Sequence, residues 1–184
     1  MGSQRLLVLS DTHGSILELT AILNWAQDDS QSKGIDAAVF LGDGIADMAR
    51  ASNAVGFSCE CKIVRGNNDF GVSAPEIDIF DFGGYRFFLC HGHNYSIYSG
   101  HHTLIAAACN VKANVALFGH THTPFHYDTD NVLLVNPGSI GRPRTKTGAS
   151  FAVIKCNQGK SIKTEFWGID QHGKIHKIKR ISHE

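Results

Sequence analysis

The sequence predicts an α/β fold of mixed β-sheets, and three observations carry that reading. The first half alternates short apolar runs with segments of helical spacing, the pattern of βα units around parallel strands. The second half changes to short strands joined by polar and glycine-containing turns, the pattern of antiparallel pairing. Across the 184 residues there is no internal repeat, low-complexity segment or linker, so residues 1–184 read as one domain.

The elements can be placed in order. Arg5-Leu6-Leu7-Val8-Leu9-Ser10 reads as a buried strand, apolar and closed by a polar turn. Ser15 to Gln27 reads as a helix: Ile16, Leu19, Ile22, Leu23 and Ala26 recur at helical spacing, and Ser15 with Glu18 fits a capping box. Asp36 to Leu41 gives a second strand, Ile45 to Val55 a second helix, and Cys61 to Arg65 a third strand. Ile77 to Phe82 and Tyr85 to Cys90 flank Gly83-Gly84, a hairpin signal. Phe80, Phe82, Phe87 and Phe88 there read as sheet-packing residues. Ser99 to Ala113 is helical in pattern, with His101 and His102 opening it at the surface, and Val115 to Phe118 is a short buried strand. Strands follow at Pro124 to Tyr127, Val132 to Asn136, Ser150 to Cys156 and Ser161 to Phe166, with a turn at Asn157-Gln158-Gly159-Lys160 between the last two. A final strand is expected at Lys174 to Ile181, after the turn at Gln171-His172-Gly173.

Composition bounds the function. With 42% hydrophobic and 18% charged residues the chain is globular rather than disordered. Lys plus Arg and Asp plus Glu balance at 17 each, which argues against a protein that coats nucleic acid or an anionic membrane. Five cysteines, an odd number without framework spacing, fit a reducing cytoplasm, and Cys59-Glu60-Cys61 lacks the spacing of a CxxC pair. No signal peptide and no membrane span is expected.

Polar clusters follow the strong strands in a regular way. They are Asp11-Thr12-His13-Gly14, Gly42-Asp43-Gly44, Gly66-Asn67-Asn68-Asp69, His91-Gly92-His93 and Gly119-His120-Thr121-His122. Ligands of α/β sheets bind at the carboxyl ends of strands, so five clusters at five strand ends should meet. Carboxylates with imidazoles suit Mn, Fe, Zn or similar ions. Asp11-x-His13 and His120-x-His122 have period-two spacing, which in extended backbone puts both side chains on one face. Two metals about 3.5–4 Å apart need a shared ligand, and Asp43 is the natural bridge. Each cluster alone would pass for a turn or a cap; the ordered set would not.

This ordered set resembles the calcineurin-like metallophosphoesterases, whose motifs run D-x-H, G-D with a variable continuation, G-N-x-[DE], a histidine before glycine, and G-H-x-H. The match spans roughly residues 5 to 140. The small size, the Asn136-Pro137-Gly138-Ser139 segment and the late strands look like the small prokaryotic phosphodiesterase branch, which also contains relatives of the retromer scaffold subunit. The resemblance implies a four-layer α/β/β/α sandwich of mixed β-sheets. It implies two divalent metal ions, with Mn²⁺ the expected ion and Fe, Zn, Ni or Co compatible. Asp11, His13 and His122 would hold the first and Asn67, His91 and His120 the second, with Asp43 bridging. A hydroxide shared by the metals would attack phosphorus in line.

One departure matters. Many members carry histidine where this chain has Asn68, and Asn68 can donate a hydrogen bond but cannot act as an acid. General acid catalysis is worth about 10²–10⁴-fold, so diesters with good leaving groups are the expected substrates. His93 is a candidate substitute donor, and Asp69 would orient the loop. Arg142 and Arg144 could touch phosphate but read as a solvated loop, and His126, His172, His176 and His183 show no partner pattern. The competing readings are a non-catalytic protein-binding scaffold of the same fold and a metal-dependent nuclease. All seven candidate ligands are chemically competent, which disfavours the scaffold. Zero net charge disfavours a nucleic acid polymer as substrate. The expected partner is a small phosphate ester, and exposed late strands leave room for a homo-oligomer.

Overall fold

The computed structural model of the chain describes residues 3–157 and 160–181. Its strands are β1 (Gln4–Leu9), β2 (Ala37–Phe40), β3 (Cys61–Ile63), β4 (Ile77–Phe82), β5 (Tyr85–Cys90), β6 (Val115–Leu117), β7 (Pro124–Asp128), β8 (Leu133–Pro137), β9 (Ser150–Asn157), β10 (Ser161–Ile169) and β11 (Ile175–Lys177). Its α-helices are α1 (Ile16–Gln27), α2 (Asp29–Ser32), α3 (Ile45–Val55) and α4 (His102–Asn110). The first sheet has the order β11-β10-β9-β1-β2-β3 and the second β4-β5-β6-β8-β7. Both are mixed. β1, β2 and β3 run parallel, as do β5, β6 and β8, and antiparallel strands flank each parallel run.

Side-chain alternation builds the layers. Leu6 and Val8 of β1 point into a core shared with Phe87 and Leu89 of β5 and Val115 and Leu117 of β6, so this core lies between the sheets. Leu7 and Leu9 point the other way and pack with Leu19, Ile22 and Leu23 of α1 and Met48 and Ala51 of α3. On the far face of the second sheet, Phe88, Ala116 and Leu134 meet Leu104 and Ala108 of α4. The result is helix, sheet, sheet, helix, as the family resemblance implies. A central strand buried on both faces must be apolar throughout, which is why β1 reads as an unbroken run rather than an alternation.

Several boundaries differ from expectation, each for a physical reason. The Ser15 hydroxyl makes no cap hydrogen bond, so the expected capping box is not formed. The N–H groups ahead of α1 are taken instead by the Thr12 carbonyl, from Ser15, and by the buried Asp47 carboxylate, from Gly14. α4 starts at His102 rather than Ser99, because a 3₁₀ turn over Ile97–Ser99 and Gly100 at φ 129° precede it. It ends at Asn110, two residues before Lys112 turns left-handed. His101 is not merely a surface residue: it is half-buried, with its ring stacked on Phe125 at 4.6 Å. β11 stops at Lys177, since Ile178 and Ile181 turn onto the inter-sheet core instead of extending the ladder. The four-residue α2, capped by the Asp28 side chain, was not expected. Of the anticipated turn at Asn157-Gln158-Gly159-Lys160, Gln158 and Gly159 lie outside the described residues, as does His183. No helix among the described residues is long and apolar enough to cross a membrane.

Candidate metal centre

The parallel strands of both sheets deliver their carboxyl ends to one place. Asp11 and His13 follow β1 and Asp43 follows β2 in the first sheet; His91 follows β5, and His120 and His122 follow β6, in the second. The side chains do not reach the centre by strand alternation, as the period-two spacing suggested. Asp11, His13, Asp43, His120 and His122 have φ of 56°, 43°, 58°, 67° and 58°, so tight left-handed loops aim them. These are five of the eight non-glycine residues with positive φ among the described residues, and backbone strain of this kind concentrates where function over-determines conformation. Close approach also requires glycine. A Cβ at Gly66 would collide with the Asp43 carboxylate, and one at Gly119 with Ser10 and Asp11.

The ligand-type atoms then crowd together. His122 Nε2 lies 3.1 Å from Asp11 Oδ1. His13 Nε2 lies 3.7 Å from Asp11 Oδ1, 3.6 Å from Asp43 Oδ2 and 3.2 Å from His122 Nε2. His91 Nε2 lies 3.4 Å from Asp43 Oδ2 and 3.9 Å from Asp11 Oδ1. One ligand atom from each of Asp11, His13, Asp43 and His122 falls within 4.8 Å of all the others. His120 is half-buried beside them, its ring 5.2 Å from that of His91 and its N–H donating to Asp11 Oδ2.

Two observations fit this donor set to a cation. Asp11 Oδ1 and His91 Nε2 are buried without a hydrogen-bond partner, a costly arrangement unless something else meets their lone pairs. The tautomers also suit ligation. Leu41 and Arg142 carbonyls lie 2.7 Å from Nδ1 of His91 and His122; a carbonyl only accepts, so Nδ1 carries the proton and the Nε2 lone pair faces inward. Burial alone would raise the Asp11 carboxyl, but the adjoining His122, His13 and His91 rings and the Ser10 hydroxyl hold it well below the usual range. Burial likewise opposes ionisation of Asp43, yet His91 and Asn68 bring it down to about 2. His91 is raised: burial disfavours its charge, and Asp43 and Asp11 outweigh that.

The remaining predicted residues divide. Asn67 is exposed, while its neighbour Asn68 reaches Asp43, donating from its side chain at 2.5 Å and from its backbone N–H at 2.8 Å. The buried Asp69 accepts N–H groups from Asp43, Gly44, Ile45 and Gly66, and so locks two loops together. The His93 ring lies 5.5 Å from His91 and 6.2 Å from His120, with Nδ1 buried and unpartnered. Burial, and then the charge of His91, lowers its pKa.

Sequence reasoning missed a supporting shell. Ser10 donates to Asp11 Oδ2, and Ser139 to the Asp11 carbonyl. Asp47 takes the Thr12 hydroxyl, and Asn136 holds the Gly119 carbonyl and the Thr121 hydroxyl. The Arg142–Arg144 loop is not simply solvated: it supplies the carbonyl behind His122, and the Arg144 guanidinium donates to the Tyr98 hydroxyl, which donates to the His120 carbonyl. The Asn-Pro-Gly-Ser segment was the available signal, though it does not announce these roles. A cavity of about 250 Å³ opens beside His13 and Asp43.

Comparison with known proteins gives consistent results. The profile of the calcineurin-like phosphoesterase superfamily domain matches residues 5–159. A probable metallophosphoesterase of Mycoplasma pneumoniae is 30% identical over 161 residues, covering 85% of this chain and 92% of that protein. Phosphodiesterase YfcE of Escherichia coli K12 is 26% identical over 168 residues, covering 82% and 86%. The crystal structure of a Vps29 single mutant from Entamoeba histolytica superposes with a TM-score of 0.75 at 18% identity, covering 95% of this chain and 98% of that one.

Proposed function

Since the chain belongs to the calcineurin-like phosphoesterase superfamily, we propose that it is a metal-dependent phosphoesterase that hydrolyses a small phosphate diester. The observation that carries the reading is Asp43, whose Oδ2 lies between His13 Nε2 at 3.6 Å and His91 Nε2 at 3.4 Å, next to the unpartnered Asp11 Oδ1. Asp11, His13 and His122 would hold one divalent ion and Asn67, His91 and His120 a second, with Asp43 shared. Bound there, such ions supply Lewis acidity toward phosphoryl oxygens and lower the pKa of water. The protein's own part is positioning. Ionised Asp11 and Asp43 keep the site anionic until cations enter, and the Leu41 and Arg142 carbonyls keep His91 and His122 in the ligating tautomer. Asn68 can donate to a phosphoryl oxygen but holds no proton to give, which favours diesters whose leaving group departs unassisted. The imidazole nearest to hand for a poorer leaving group is His93, its ring 5.5 Å from that of His91, although its lowered pKa makes it a reluctant carrier of a proton. The YfcE relative is itself named a phosphodiesterase. The Vps29 likeness supports the fold alone, and the chemically competent residues at all seven candidate ligand positions weigh against a scaffold that has lost catalysis.

The test is hydrolysis of a chromogenic phosphodiester by chelator-stripped protein, with and without Mn²⁺, alongside Asp43→Asn. Metal-dependent turnover is expected. Loss of a shared ligand should exceed the ~10–100-fold typical of outer partners. Folded protein that turns over nothing with Mn, Ni, Co, Zn or Mg would overturn the reading.

A further inference from the structure

The cavity beside the metal-ligand cluster has a chemical character of its own. His13, Asp43 and Asn68 line it together with the apolar Ala46, Phe70 and Val72. Phe70 is 85% exposed, the most exposed large hydrophobic side chain among the described residues. Its backbone is nonetheless tied down, because the preceding Asp69 accepts four backbone N–H groups from around Asp43 and Gly66. An aromatic ring held out toward solvent on an anchored loop, at the edge of a cluster of ligand-type residues, is a stacking platform without a partner.

The charges lining the cavity narrow the occupant. Asp47 and Asp69 both contribute to the wall, and both carboxylates are occupied: Asp47 by the Thr12 hydroxyl and the Gly14 N–H, Asp69 by its four amides. No lysine or arginine lines it. The side chains that line the cavity therefore offer no counter-charge to an anionic group, and three carboxylates, Asp43, Asp47 and Asp69, against one. It suits a neutral, planar ring.

We propose that the cavity receives the nucleobase of a nucleoside phosphodiester, stacked on Phe70, while the phosphate lies against the His13 and Asp43 side. This inference rests on the phosphodiesterase reading for its reaction but not for its binding, so the two can fail separately. The lack of cations argues for a single nucleoside arm rather than a polynucleotide strand, which would bring further phosphates.

The experiment compares wild type, Phe70→Ala and Phe70→Trp, all loaded with Mn²⁺. Turnover is read on two diesters with the same p-nitrophenolate leaving group, one esterified to thymidine at its 5′ oxygen and one to methanol. Binding of thymidine 5′-monophosphate is read by calorimetry. Stacking on one aromatic ring predicts that Phe70→Ala lowers the thymidine-to-methyl ratio of kcat/KM by about tenfold, weakens the nucleotide Kd by a similar factor, and that Phe70→Trp restores both. A ratio and a Kd that do not depend on Phe70, or a wild type that fails to bind the nucleotide, would overturn the inference. Phe70-dependent binding without turnover of either ester would sustain the inference and overturn the phosphodiesterase reading. Turnover of both esters at a ratio indifferent to Phe70 would do the reverse.

Discussion

Asp11 divides its two carboxylate oxygens between structure and chemistry. Oδ2 accepts the Ser10 hydroxyl at 2.5 Å and the His120 N–H at 3.1 Å, while Oδ1 is left bare, facing His122 and His91. One oxygen is a hinge pin and the other is available to a cation. Ser10 is therefore a positioning residue with no reason to touch substrate. Ser10→Ala removes one of the two bonds that fix the carboxylate plane, so Mn²⁺ affinity should fall by about 10–100-fold, in the range of outer partners of metal ligands. A calorimetric metal titration measures it. Affinity equal to wild type would mean that the His120 N–H alone suffices. Asn68 shows the same economy: lacking an acid's proton, it donates to Asp43 and steadies the carboxylate between His13 and His91.

At the scale of elements, the start of α3 explains both what the sequence revealed and what it hid. Gly44 is the N-cap and has no side chain to offer. The Asp69 carboxylate, from the loop after β3, accepts the Gly44 and Ile45 N–H groups, each at 2.9 Å, and brings negative charge to the positive end of the helix dipole. Asp69→Asn turns one acceptor oxygen into a donor that faces N–H groups in a buried setting. The expected cost is about 1–3 kcal/mol, measured by chemical denaturation of the metal-free protein. A loss much below this would show that water replaces the carboxylate. Strands and helices were legible because apolar periodicity is local: β1, β2, α1, α3 and the β4–β5 hairpin lie within a residue or two of expectation. The meeting of Asp11, His13, Asp43, His91, His120 and His122 was legible because each follows a strand within a glycine-marked cluster, whereas Asn67 lies exposed. Helix caps were not, since Asp47 and Asp69 reach them from elsewhere in the chain while Ser15, the local candidate, makes no such bond. Nor were the left-handed turns at Asp11 and His122, where bonds from distant segments hold the backbone: Gly42 and Ser139 on the Asp11 peptide groups, and Arg144 on the His122 carbonyl. Period-two reasoning thus brought the right side chains together for the wrong geometric reason.

Across the whole molecule, the centre is where the two sheets are joined by polar groups. Asp11, His13 and Asp43 come from the first sheet, and His91, His120 and His122 from the second. Elsewhere the sheets meet mainly through apolar side chains, with polar links such as Tyr85 to the Asn157 carbonyl and Ser150 to the Pro137 carbonyl, and apolar packing fixes a register less sharply than coordination would. Two carboxylates and two imidazoles, from Asp11, Asp43, His13 and His122, each bring a ligand atom within 4.8 Å of the others at this junction, where Asp11 Oδ1 and His91 Nε2 have no hydrogen-bond partner. A divalent ion bound only by the folded chain should therefore act as a clamp between sheets. At about a hundredfold excess over Kd such linkage contributes roughly 2.7 kcal/mol, which for a chain of this length raises the thermal midpoint by roughly 5–10 °C. A thermal scan of chelator-treated protein across increasing Mn²⁺ measures the effect. The midpoint should climb with the logarithm of metal concentration in wild type and stay nearly flat in Asp43→Asn, whose shared ligand is neutralised. A midpoint indifferent to metal in wild type would mean that no ion bridges the sheets. A rise of equal size in both proteins would locate the binding away from Asp43. Because the clamp and the proposed chemistry use the same residues, the order in which different metals raise the midpoint can be compared with the order in which they restore turnover, and agreement between the two would tie the stabilising ion to the reacting one.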